Sequence, residues 1–299
     1  MRPSARLLVA VCATALLAGS PALAQVGTPA LPTALAPIPE PRAVPYPGAI
    51  DIEVDATDID RRIVSVSQTI PVAGPGPLIL LYPLWIPGHH GPVGPVDDIA
   101  DLRIVANGQV LPWVRNTVHT NAFQVEVPAG ASNVEVSFKW LTPIEGSQGR
   151  VTITDEIINL QWEKALLYPA GYDHSGITVR PKLRLPTGWN YGAALDTESF
   201  VGGVATFAPI SLEHLTDSPV FAGAHFRQID LDPGGRSPVR LNVVADSPAM
   251  LAASEEHIEL HRNLVDQADR LFGARHFDHY DFLLALTDRL GGIGLEHHR

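Results

Sequence analysis

The chain has 299 residues, 45% apolar and 18% charged, with 27 Pro, 25 Gly and one Cys. That composition excludes a disordered chain, a collagen and a disulfide-stapled mini-protein. Its 21 Lys and Arg stand against 32 Asp and Glu, a formal charge of -11, which repels polyanions and removes the electrostatic term behind most non-specific nucleic-acid binding, so no nucleic-acid partner is expected.

The only stretch apolar enough to enter a bilayer is Leu7 to Ala18, about a dozen residues where a spanning helix needs about 20. No membrane span is expected. Arg2 and Arg6 before it and Pro21-Ala22-Leu23-Ala24 after it give residues 1–24 the three parts of a secretory signal peptide, with cleavage after Ala24. Cys12 lies inside the apolar run and follows bulky Val11, which argues against a lipid anchor. Cleavage removes Cys12, so the mature chain cannot form disulfides and relies on packing. The expected location is the periplasm or the medium.

Residues 25–47 carry Pro29, Pro32, Pro37, Pro39, Pro41, Pro45 and Pro47 among small residues, the composition of an extended Pro-rich linker. Residues 48–244 read as a β domain. Apolar residues alternate with polar ones at Ile50, Ile52 and Val54, at Val64 and Val66, at Phe123, Val125 and Val127, and from Val134 to Trp140, the period of half-buried strands. Further strands are expected at 153–162, 177–185, 205–207, 225–231 and 239–244. Gly74-Pro75-Gly76-Pro77, Asn107-Gly108, Pro128-Ala129-Gly130 and Gly202-Gly203 supply turns between them. The fold expected here is mainly β, an antiparallel, β-sandwich-like domain.

The texture changes over residues 245–299. Ser247-Pro248 offers an N-cap and a first-turn proline, and Leu251, Ile258, Val265, Ala268 and Phe272 recur at helical spacing up to Gly273. That predicts an amphipathic helix of about 25 residues. Phe282 to Leu286 then reads as a buried strand. One helix and one strand bury too little surface for a core of their own, so the expectation is the front part of a longer protein.

Twelve His residues invite a metal reading. His257 and His261 share a helix face, but the carboxylate between them, Glu259, does not follow the first His directly as in H-E-x-x-H, so it sits on another face. His276, His279, His297 and His298 form no ligand spacing, and His89-His90 sits in a Pro- and Gly-rich turn that either lies on the surface or lines a cleft. Asp97-Asp98, Asp155-Glu156 and Glu255-Glu256 are adjacent pairs whose side chains diverge. No G-x-S-x-G, P-loop or G-x-G-x-x-G before a helix is present. Glu296 follows Gly-rich chain after a buried strand, and such an edge can offer backbone groups and a carboxylate to the amino end of an extended peptide; the alternative is an ordinary charged loop residue.

Taken together, Leu84-Trp85-Ile86-Pro87-Gly88, Leu215-Thr216-Asp217-Ser218-Pro219-Val220, Tyr280-Asp281-Phe282-Leu283-Leu284 and Gly294-Leu295-Glu296-His297 resemble, in order and spacing, the glycyl aminopeptidase family of zinc metallopeptidases, metallopeptidase family sixty-one. The resemblance runs across most of residues 44–299. It implies that residues 245–299 open a truncated, thermolysin-like α+β catalytic domain, that Glu296 and Gly294 meet the substrate's free amino group and adjoining backbone, and that the complete protein uses zinc to hydrolyse peptides near their N-terminus. Ile293 and His89-His90 depart from the family pattern, which has Gly and Ser-Tyr at those places. No H-E-x-x-H occurs, so the chain is expected to carry no catalytic or metal-ligating residues and to be inactive alone, with zinc confined to the longer family members. The competing expectation is a non-catalytic exported β-sandwich that binds peptide or glycan. The two differ at the helix, since a severed piece of a second domain leaves Leu251, Ile258 and Val265 poorly packed.

Overall fold

Alternating burial along the first strands shows how the sequence pattern becomes architecture. Ile50, Ile52, Val54 and Ala56 are buried while the residues between them are not, so one sheet face turns inward and the other stays open. The computed structural model describes residues 35–86, 88, 89, 91–292 and 294–297. The expected signal peptide with Cys12, the first part of the linker, and His90, Ile293 and His298 lie outside them.

The strands are β1 (Ala49–Asp58), β2 (Ile63–Pro71), β3 (Gly76–Leu81), β4 (Ile99–Ala106), β5 (Gln109–Leu111), β6 (Trp113–Arg115), β7 (Ala122–Val127), β8 (Asn133–Leu141), β9 (Ile157–Leu160) and β10 (Tyr168–Pro169). They continue with β11 (Thr178–Arg184), β12 (Asn190–Ala193), β13 (Thr197–Val201), β14 (Val204–Phe207), β15 (Ile210–Ser211), β16 (Val220–Gly223), β17 (Phe226–Asp230), β18 (Val239–Ala245) and β19 (Tyr280–Leu286). Two α-helices stand among the described residues, α1 (Leu212–Thr216) and α2 (Glu255–Phe272).

The largest sheet has nine strands, in the order β13-β14-β11-β1-β2-β8-β4-β5 with β15 also paired to β11. A second sheet runs β10-β3-β7-β6, a third β12-β16-β9 and a fourth β17-β18-β19. The fold is therefore mainly β and largely antiparallel, as expected. Two pairs are parallel: β1 lies beside β11 from Ala49↔Thr178 to Asp55↔Arg184, and β18 beside β19. The β18-β19 crossover passes through α2, as a parallel connection requires.

One buried cluster joins the first three sheets, with Ile52, Val66 and Phe138 from the first, Leu80 and Phe123 from the second and Leu160 and Ala222 from the third. A second cluster sets Ile229, Leu231, Val239, Leu241 and Val243 of the fourth sheet and its hairpin against Ile258 and Val265 of α2. The opposite face of β18 meets the third sheet so closely that a Cβ on Gly192 would lie 2.3 Å from the Asn242 Cβ; only glycine admits that approach.

The helix begins later than Ser247-Pro248 predicts. Pro248–Leu251 is a short 3-10 turn, and α2 starts after Ser254, whose side chain accepts from the His257 N–H. The break has a cause: the Arg227 guanidinium donates to the Leu251 carbonyl at 2.9 Å, occupying the acceptor that a continuous helix would use. The helix ends as predicted at Gly273, at φ 68°. Residues 35–47 are extended, as their prolines imply, and are tied to the β domain. Ala36 N–H donates to Gln124 Oε1 at 2.9 Å, Tyr46 Oη–H to the Pro71 carbonyl at 2.6 Å, and Asp173 N–H to the Arg42 carbonyl at 3.0 Å.

Candidate functional site

Three stretches distant in sequence converge beside β19. The first is β9 and the turn after it, which place Asn159 and Gln161 on one wall together with Arg150. The second is β19 itself, an edge strand that presents Tyr280 to Leu283. The third is the segment after it, with Gly294, Leu295 and His297. They enclose a cavity of about 180 Å³, closed on its remaining side by Ala194, Pro219 and Phe221.

The last segment is held in place at several points. Arg289 bonds Asp246 at 3.2 Å and pairs with Glu156. His297 Nδ1 lies 2.9 Å from Asp217 Oδ1, at the C-terminal end of α1. Leu295 packs so closely on Gly88 that a Cβ there would fall 2.1 Å from its side chain. Gly88, at φ 76°, is thus required both by its backbone and by its neighbour.

Polar atoms around the cavity are incompletely bonded. Arg150 Nε, Thr152 Oγ1, Asn159 Oδ1 and Glu163 Oε1 are buried and have no hydrogen-bond partner among the described residues. Buried polar groups without partners are uncommon and costly, and they concentrate where a ligand or ordered water completes the bonding. Glu163 is 3% exposed; burial pushes its carboxyl up to about 7, against the opposing pull of Lys164, its own backbone N–H, His297 and Arg150. Burial in turn lowers the Lys164 ammonium.

A second polar network borders the same strand. Asp281 is almost wholly covered and accepts from Asn242 Nδ2 at 2.8 Å and from Arg240 at 3.3 Å. His279 lies between Asp281, 2.8 Å from Nδ1, and Asp196, 3.2 Å from Nε2. The hydrogen bond to Asp281 raises the His279 imidazole above its ordinary range. A cleft of about 620 Å³ beside it is lined by His214, His276, His279 and His297 with Asp278 and Tyr280.

Of the residues singled out in the sequence, Gly294 lines the cavity, whereas Glu296 is exposed beside it. His89 is exposed in the loop that carries Gly88. His257 and His261 are not poised as a ligand pair, because His261 Nδ1 turns back onto the His257 carbonyl at 2.8 Å. Among the described residues no group of three or more His, Cys, Asp or Glu could hold a metal ion. The described residues therefore offer no set that fits zinc. Arg150, Asn159, Gln161 and Glu163 were not singled out by sequence, although Gln161 and Glu163 interrupt the apolar run from Ile157 to Leu167 and polar residues inside such a run are a signal.

The fold is similar to that of a solved structure. An aminopeptidase N family protein from Idiomarina loihiensis superposes with a TM-score of 0.65 at 17% identity, over 83% of this chain and 40% of that one. An M1 zinc metallopeptidase from Deinococcus radiodurans, in a variant bound to a Tyr-Ser-Ala substrate, gives 0.45 at 13% identity over 81% and 56%. Yeast LTA4 hydrolase gives 0.46 at 13% over 82% and 38%. The chain thus spans less than two thirds of the length of each. No curated protein matches the sequence. Residues 51–224 match the Peptidase M61 N-terminal domain, more than half of the 299 residues, and the chain belongs to that family. It is a peptidase-related protein, and the resemblance carried by its four short motifs is borne out.

Proposed function

We propose that this chain is the N-terminal part of an exported zinc aminopeptidase, in which the edge formed by β19 and residues 294–297 receives the amino end of a peptide. The observation that carries this reading is the cavity between β9, β19 and Gly294, with its unpartnered Arg150 and Asn159 atoms. Edge strand β19 offers main-chain groups to an extended ligand, and Glu296 stands exposed two residues beyond Gly294, where its carboxylate can pair with an ammonium. Zinc and the water-activating base belong to sequence beyond this chain, and no step here involves a metal. Residues 1–24 are its export signal, and mature protein from a periplasmic fraction begins at Gln25.

Amide-resolved NMR of the purified chain tests the substrate edge. A glycyl peptide with a free amino group shifts the signals of Gly294, Leu295 and Glu296; its N-acetylated counterpart does not, and Glu296→Gln weakens binding by about tenfold, the loss of one charge-assisted contact. Equal binding of both peptides, or none, defeats the assignment. With added zinc the chain alone hydrolyses no aminoacyl amide.

The non-catalytic binding module is favoured by one observation: Ile258 and Val265 are 6% and 7% exposed, packed on the fourth sheet, and Leu251 is partly buried. Sequencing the transcript in frame past the Arg299 codon separates the readings. An H-E-x-x-H helix within a few tens of codons supports the peptidase, and an immediate stop supports the module.

A further inference from the structure

Three polar side chains line the cavity beside β19 without a partner. Asn159 and Gln161 are two residues apart, on β9 and just after it, so both side chains leave the same side of the extended chain. They are 2% and 8% exposed. Neither side-chain amide makes a hydrogen bond among the described residues, and Asn159 Oδ1 is fully enclosed. Arg150 completes the group. Its stem lies on Gly291, where a Cβ would come within 3.1 Å of the Arg150 Cγ, and its guanidinium has a buried, unbonded Nε and no carboxylate at ion-pair distance among the described residues. All three side chains belong to residues 51–224, the stretch that matches the family domain.

The neighbouring carboxylates do not answer that charge. Asp281, on the cavity wall, is taken up by Asn242, Arg240 and His279. Glu163 acts on Arg150 through space without pairing with it, and burial holds its own carboxyl towards the neutral form. A covered cation without a counter-charge is costly, and burial lowers the Arg150 guanidinium accordingly.

An anion supplies what is missing. The guanidinium offers a fork of N–H donors, and both amides can turn an NH2 group towards the same ligand. That set favours a carboxylate over a carboxamide, because only the carboxylate brings a charge. Pro219, Phe221, Phe282 and Leu295 make the rest of the wall apolar, which suits a short methylene stem. A cavity of about 150 Å³ holds a six-membered ring, so one of about 180 Å³ takes a carboxymethyl or carboxyethyl group.

We propose that this cavity is the side-chain pocket for the first residue of the bound peptide and that it selects an acidic one, with Arg150 holding the carboxylate and Asn159 and Gln161 assisting. The inference rests on the peptide edge proposed above, because that edge brings a first side chain to the cavity. Arg150 is thus a specificity residue and meets no reacting bond.

Four dipeptide amides test it: glutamyl-alanine amide and glutaminyl-alanine amide, each with its amino group free or acetylated, titrated into the purified chain at neutral pH and followed by NMR. The free glutamyl peptide binds about tenfold tighter than the glutaminyl one, the worth of one charge-assisted contact. It shifts the Arg150 Nε–H signal and the side-chain amide signals of Asn159 and Gln161. Arg150→Met binds both peptides alike, with a urea midpoint no lower than that of the wild type, since an uncompensated charge is gone. Equal binding of the glutamyl and glutaminyl peptides by the wild type, or a preference that survives Arg150→Met, overturns the pocket. The acetylated pair judges the edge separately. If acetylation changes nothing while the glutamyl preference stands, the amino-end reading falls and the carboxylate pocket holds; if a free amino group is required but no preference is seen, the pocket alone falls. Binding of none of the four overturns both. The wild-type series decides the matter even if Arg150→Met fails to fold.

Discussion

Glu163 sets the pH behaviour that a single side chain can impose on this fold. Its carboxyl is raised from 4.5 to about 7 by burial, so the folded chain holds a proton that the unfolded chain releases. The folded state is then favoured below about pH 4.5, loses that advantage as pH rises to about 7, and above it carries the whole cost, on the order of 3 kcal/mol for the shift. Glu163→Gln keeps the shape and removes the charge. Urea titrations at about pH 5 and about pH 8 should find the variant more stable than the wild type mainly at the higher pH, by about 2 to 3 kcal/mol. A gap that is the same at both pH values would show that Glu163 is ionised throughout and that its neighbours offset the burial. The residue also marks the limit of what spacing reveals. Gln161 and Glu163 stand out as polar residues within an apolar run, but their convergence with Arg150, Gly294 and His297 depends on pairings between strands some tens of residues apart, β9 with β16 and β18 with β19, which no local pattern names.

At the scale of elements, what was legible is what alternation encodes. Strands β1, β2, β7 and β8 bury every second residue, and period two finds them without help. The signal fails where one face is not distinguished from the other. Strand β9 is buried on both sides and β13 exposed on both, while β3 begins inside the Gly74-Pro75-Gly76-Pro77 stretch that reads as a turn. The parallel neighbours β1 and β11 lie far apart in sequence, and no local pattern names the partner. For α2 the error was one of competing caps. Ser247 and Ser254 both suit an N-cap, and the Arg227 bond to the Leu251 carbonyl decides in favour of the second. Ser254→Ala should therefore cost about 1 kcal/mol, the usual worth of a capping hydroxyl, whereas Ser247→Ala should cost a few tenths at most. Urea midpoints of the two variants measure this directly. Equal losses would place the start of the helix at Ser247 and discount the 3-10 turn.

Across the whole molecule, the two buried clusters divide the chain in sequence order. The larger runs from Ile50 to Ala222 and coincides with the family match over 51–224, while the smaller runs from Ile229 to Val265 with Phe277, Phe282 and Leu286 against it. They meet where β17, β18 and β19 lie on the third sheet, as at Asn242 against Gly192 and Val244 against Gly223. Stability scales with apolar surface removed from water, so the larger cluster holds the greater share. The smaller depends on one helix face and an edge strand, together with the Arg275 clamp, whose guanidinium pairs with both Asp269 and Asp232 and bonds the Ser237 carbonyl at 2.9 Å. Native-state hydrogen exchange should then resolve two levels. Amides of β1, β2 and β8 exchange only by global unfolding, and those of α2 and β17 to β19 through a partial opening of lower free energy. Arg275→Met should lower the second level and leave the first unchanged, because the polar partners of the clamp, Asp232, Ser237 and Asp269, all belong to α2 and the β17–β18 hairpin. A single level shared by all strands would mean that the β18 contact welds the clusters into one cooperative unit.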